Sequence, residues 1–63
     1  MQALAVNEKE AAKALGISFD TLRRLRLAGD APEHYWARGR ICYVVAGLST
    51  WAEQRSRQSG VRA

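Results

Sequence analysis

Apolar and polar positions along the first half of the chain repeat with helical spacing. Asn7, followed three residues later by Glu10, forms a capping pair that opens a helix, and Ala11, Ala12 and Leu15 then share one face. Gly16 takes the left-handed conformation without steric cost, so the first helix is read as 8–15. Ser18 caps a second helix, on which Leu22 and Leu25 lie on the same side as Ser18 and Gly29 and face the core. At about 100° per residue the opposite face carries Asp20, Arg24 and Leu27, flanked by Thr21 and Arg23. Gly29 closes this helix and Pro32 prevents its continuation. Arg26 lies nearer the core side, so its stem is expected to pack while its head reaches solvent.

The pattern then changes. Residues 34–44, HYWARGRICYV, are rich in aromatic and β-branched side chains around Arg38-Gly39-Arg40, which predicts a hairpin. Ile41 and Tyr43 alternate as its inward face. A three-residue loop, 38–40, would pair Tyr35 with Tyr43 and set Trp36 opposite Cys42 on the outer face. A third helix is predicted at about 46–57, with Leu48, Trp51, Ala52 and Arg55 on its inner stripe and a poorly capped start at Ala46-Gly47. The expected class is mainly α with a small β-hairpin, in the order helix-helix-hairpin-helix. One domain spans 1–57, and a flexible basic tail occupies 58–63.

Composition adds a charge asymmetry. Residues 1–20 hold Lys9 and Lys13 against Glu8, Glu10 and Asp20, whereas residues 21–63 hold eight arginines against Asp30, Glu33 and Glu53. The net charge of +4 is therefore concentrated in the later part of the chain, and every positive side chain there is Arg. The planar guanidinium suits bidentate contacts to phosphate and guanine better than lysine does. A chain this short buries only about 60 % of the surface its unfolded form exposes, so its stability is expected to be marginal. Cys42 is the sole thiol, which points to a reducing compartment. No apolar run approaches the roughly 20 residues of a membrane span, and the N-terminus lacks the pattern of a signal peptide. There is no glycine-rich phosphate loop, no cluster of metal ligands and no nucleophile with a base. The sequence thus reads as a non-enzyme without cofactors or metals.

The segments EAAKALGIS, DTLRRLRLAGDAP, RGRICY and LSTW, in that order, resemble the excisionase-type and MerR-like winged helix-turn-helix DNA-binding domains of bacteria and their phages. The resemblance covers about residues 4–54. Its best marks are Ala11-Ala12 with Leu15-Gly16-Ile17-Ser18, and Thr21-Leu22-Arg23 running to Gly29. Pro32, Gly39-Arg40 and Leu48 with Trp51 agree with it. It implies that helix two, about 19–28, is a recognition helix in the major groove of double-stranded DNA. The hairpin, 34–44, would be the wing on the adjacent backbone or minor groove. It implies DNA contacts from Thr21, Arg23 and Arg24, with Ser18, Phe19 and Asp20 at the exposed N-terminal turn and Arg38 and Arg40 at the wing tip. Cys42 and Trp36 depart from the family pattern, standing where basic or polar residues are common, and Ala46-Gly47 replaces the usual polar cap. The long dimerisation helix and ligand domain of MerR regulators have no counterpart here.

The expected function is that of a stand-alone, sequence-specific DNA-binding protein of excisionase type, a recombination directionality factor of a phage or mobile element. Catalysis would belong to a partner recombinase (an integrase). A domain this small contacts few base pairs, so several copies are expected to associate cooperatively on neighbouring sites. Its place would be the cytoplasm, on the bacterial nucleoid. A small phage or bacterial transcriptional regulator would use the same residues, and a protein-interaction module would use Phe19, Leu27 and Trp36. Asp20 either accepts from a cytosine amino group or complements the helix dipole. Arg23 is expected at phosphate and Arg24 at base edges. Trp36 either marks a contact surface, for DNA or a neighbouring copy, or folds over the edge of a thin core. His34 is expected in a surface or packing role and not in catalysis, and Cys42 is a plain strand residue.

Overall fold

The computed structural model describes residues 3–58. The chain runs β1 (Ala5–Val6), α1 (Glu8–Leu15), α2 (Phe19–Leu27), β2 (His34–Ala37), β3 (Arg40–Val44) and α3 (Val45–Gln58). It is thus a small, mostly helical fold of three helices with a three-stranded antiparallel sheet, ordered β1-β3-β2. Residues 59–63, most of the expected tail, lie outside the described residues, whereas Gln58 ends α3.

Local chemistry explains the helix ends. The Asn7 side chain accepts from the Glu10 amide at 2.7 Å and the Glu10 carboxylate reaches back to the Asn7 amide, a complete capping box. Gly16, at φ 75°, lets the Ile17 amide turn back to the Ala12 carbonyl and its own amide to Lys13. Ser18 caps α2 by accepting from the Thr21 amide at 3.1 Å. Past Ala28, Gly29 repeats the left-handed exit, with Asp30 bonded to Leu25 and Gly29 to Arg26.

The core is thin. Ala11 and Ala12 of α1, Leu22 of α2, Tyr43 of β3 and Leu48 of α3 are buried, with Val6, Leu15, Ile17, Ala31 and Ile41 packed at its edge. The two alanines let α1 lie close to its neighbours, and removing Leu22 from water contributes about 2–3 kcal/mol.

Four expectations about the sheet and its flanks are corrected. The unforeseen β1 pairs Ala5 with Val44 and Val6 with Tyr43, so the hairpin is part of a three-stranded sheet. The hairpin turn is Arg38-Gly39, with φ 53° and 75°, both positive as a type I′ turn demands. Arg38 itself takes the left-handed conformation, so two residues suffice and the three-residue loop is not used. The register consequently pairs His34 with Tyr43, Tyr35 with Cys42 and Trp36 with Ile41. Directly paired residues share a face, so Trp36 lies on the face of Ile41 and Tyr43, and Tyr35 joins Cys42 on the other. Finally, α3 follows β3 directly and runs Val45–Gln58, close to the expected 46–57, but Ala52, expected on its inner stripe, is exposed.

Gly47 has a tertiary reason. A Cβ there would sit 2.8 Å from Glu33 Cβ, so only glycine admits the segment leading into β2. The other end of that segment is tied down by Asp30. Its carbonyl accepts from Trp51 Nε1 at 3.0 Å and from Arg55 at 3.2 Å, and its carboxylate pairs with Arg55 at 2.9 Å. His34 Nδ1 donates to the Pro32 carbonyl at 2.7 Å and its ring lies 5.3 Å from that of Tyr43, so of the surface and packing roles expected of it the structure shows packing. No helix among the described residues is long and apolar enough to cross a membrane.

Candidate nucleic-acid interface

Helix α2 divides sharply between its two sides. Leu22 is buried and Leu25 half-buried, while Phe19, Asp20, Thr21, Arg23, Arg24 and Leu27 are exposed. Arg24 and Asp20 approach to 3.7 Å, but their side chains are 82 % and 69 % accessible, so water screens the pair and Arg24 stays available to an anion. No carboxylate among the described residues lies within ion-pair range of Arg23, Arg38 or Arg40. Six of the eight candidate contact residues, Ser18, Phe19, Asp20, Thr21, Arg23 and Arg24, therefore sit at one helix end or on its open side. Arg38 and Arg40 sit apart, exposed at the β2–β3 turn.

Ser18 and Thr21 are already partly engaged. Their hydroxyls lie 2.7 Å apart and Ser18 Oγ accepts the Thr21 amide. Their first task is thus to start α2, and an outside partner would share them with the cap. Asp20 occupies the first turn, where its charge complements the helix dipole, and it also reaches Arg24 one turn on.

The residues that hold α2 in place were not anticipated. Glu8 is buried at the start of α1, and Arg26 Nε donates to its Oε2 at 2.6 Å while Nη2 donates to Oε1 at 3.3 Å. Tyr43 Oη, from β3, donates to the same Oε2 at 2.7 Å. One carboxylate thus joins α1, α2 and the sheet. The Arg26 head, expected in solvent, turns inward onto Glu8 and keeps only a margin of solvent: its side chain is 16 % accessible, against 7 % for Glu8. Burial pushes the Glu8 carboxyl up, but the Arg26 and Tyr43 hydrogen bonds and the positive charges of Arg26 and Arg23 outweigh it and hold it below its ordinary value. Arg26 is raised, chiefly by its bond to Glu8, and Tyr43 is raised by burial and then by the Glu8 carboxylate.

A signal for this cluster is present in the sequence. Glu8 precedes Ala11, Ala12 and Leu15 by three, four and seven positions, so it stands on the apolar stripe of its helix; Arg26 follows Leu22 by four on the stripe of the next. An acid on one inner stripe and a base on the adjacent one is the pattern of a buried pair. The Arg26 guanidinium also lies 5.6 Å from the centre of the Trp36 ring, which links α2 to β2.

Compared with family models and with curated proteins, the sequence matches none.

Proposed function

We propose that this chain is a sequence-specific double-stranded DNA-binding protein built as a winged helix-turn-helix. In it α2 enters the major groove and the β2–β3 hairpin serves as the wing. The observation that carries the reading is the open side of α2. Thr21, Arg23 and Arg24 project from a helix whose other side is fixed to the core by Leu22 and to α1 by Arg26. A rigidly mounted helix with solvent-open arginines, together with a hairpin turn flanked by Arg38 and Arg40, supplies both parts of DNA recognition: phosphate contacts that position and side chains that read base edges. Arg24, on the outermost line of α2, is assigned to base edges and Arg23 to phosphate.

The fuller reading is an excisionase-type protein of a phage or mobile element, acting in the cytoplasm on the nucleoid. Several copies would coat or bend DNA beside an attachment site for a recombinase partner. It rests on the sequence resemblance together with the small size of the domain. The test is binding of the purified protein to duplexes spanning its own gene and any adjacent integrase gene, over a salt series. Site-selective binding that weakens steeply with salt supports the reading, and a site at a promoter instead of an attachment core would reassign the protein to transcriptional regulation. Equal, weak binding to every fragment would defeat it.

A further inference from the structure

Among the described residues beyond the N-terminal segment Trp36, 61 % exposed, is the most open large apolar side chain after Leu27, yet it belongs to the sheet face that carries Ile41 and Tyr43. It lies in the strip between α2 and the hairpin turn. On one side its ring meets the Arg26 guanidinium, and Arg26 is one helical turn from Arg23. On the other side, along β2, Arg38 is two residues away. Arg23 and Arg38 are exposed and without an ion pair among the described residues. Glu8 holds Arg26 through two hydrogen bonds, so the support under the indole is itself fixed.

We propose that Trp36 is a further contact residue of the DNA interface, packing its indole against the sugar-phosphate backbone between the α2 contacts and the wing. This rests on the DNA-binding reading above. A duplex is stiff over about 150 base pairs, so one that touches α2 and the turn together crosses the strip between them. An indole offers that backbone a flat apolar surface for deoxyribose and one N–H for a phosphate oxygen. Charge favours DNA as the occupant over a second copy of the chain. The strip is bordered by unpaired arginines, Glu8 is consumed by Arg26 and Tyr43, and a second copy would bring its own net charge of +4.

The experiment compares Trp36→Ala, Trp36→Phe and Arg23→Ala in the full chain, with binding to a fluorescein-labelled mixed-sequence duplex of about two helical turns read by anisotropy across a salt series. Trp36→Ala is expected to weaken binding about tenfold with the salt slope unchanged, and Trp36→Phe to recover most of the loss. Arg23→Ala is expected to lower the slope by about one. Wild-type affinity in Trp36→Ala while Arg23→Ala weakens binding overturns the Trp36 assignment and leaves the DNA reading standing. Wild-type affinity in both removes α2 and Trp36 alike from the interface and overturns the assignment, whereas no measurable binding by the unmodified protein defeats the DNA reading itself. A loss in Trp36→Ala confined to self-association, measured by sedimentation, makes the strip a contact between copies and also overturns the assignment. Acrylamide quenching of the unmodified protein gives a readout independent of any variant's folding. DNA should shield the more open indole, Trp36, and unchanged quenching would contradict the proposal.

Discussion

Replacing Arg26 by alanine would strand the Glu8 carboxylate. In the folded protein that group is 7 % accessible and accepts bonds from Arg26 at 2.6 and 3.3 Å and from Tyr43 at 2.7 Å. Removing one member of a buried pair costs about 3–5 kcal/mol, because the remaining charge stays desolvated without its partner. Arg26 borders solvent and Tyr43 keeps its bond, which places the expected cost near the lower end, about 3 kcal/mol. A chain of this size has a total stability of only about 3–9 kcal/mol, so the loss should lower the melting temperature by about 15 °C or more. Glu8→Gln should cost less, about 1–2 kcal/mol, since a neutral amide still accepts from Tyr43 and the freed Arg26 head can turn to water. Thermal and urea unfolding followed by far-UV circular dichroism measure both. The acid limb gives a second check. The Glu8 pKa is lower in the folded protein than its ordinary 4.5, so its contribution is present above that value and is lost as pH falls through the folded one. Glu8→Gln should remove that part of the acid destabilisation. A cost below about 1 kcal/mol for Arg26→Ala, or equal costs for the two variants, would refute the argument from a stranded buried charge.

Other consequences follow from the same geometry. Arg24→Ala should weaken binding to the preferred DNA site by about 1–3 kcal/mol and relax its selectivity, whereas Arg23→Ala should weaken all sequences alike; a panel of single-base variants of the site tells them apart. Gly47→Ala gains up to about 1 kcal/mol of helix propensity but drives a methyl group to 2.8 Å from Glu33 Cβ, so a net loss of about 1 kcal/mol is expected and a raised melting temperature would contradict the packing argument. Arg38→Asn suits the left-handed position of the turn better and should stabilise the fold by about 0.5 kcal/mol while lowering the salt slope of DNA binding, two effects of opposite value that unfolding and anisotropy measure separately. Tyr43 is raised above its ordinary 10.0, so its contribution is complete below that pH and declines as pH climbs through the folded value. A stability profile of Tyr43→Phe should lack this alkaline limb.

Sequence by itself determined the parts of this protein that short-range chemistry controls. Asn7 with Glu10, Gly16, Ser18 and Gly29 set the ends of α1 and α2 through bonds spanning three to five residues. The helical repeat likewise marked Leu22 as buried and Thr21, Arg23 and Arg24 as open, because a helix of known phase has only one way to show its apolar side to a core. Tertiary structure decided whatever depended on distant partners. Ala5 and Val6 are too few to signal a strand, and they become one only because the distant β3 presents a free edge, pairing Ala5 with Val44 and Val6 with Tyr43. The face of Trp36 turned on a single residue of turn length, since one step of register exchanges the two sides of a strand; that step depended on Arg38 accepting a conformation the residue type seldom takes. The bond between Glu8, Arg26 and Tyr43 needed three elements brought together before a charge on each inner stripe could be satisfied. Gly47 acquired its meaning only when Glu33 was folded against it. Local rules could place the arginines on the open side of α2. Where that side points relative to Arg38 and Arg40 is set by long-range packing, and a local rule carries no term for it.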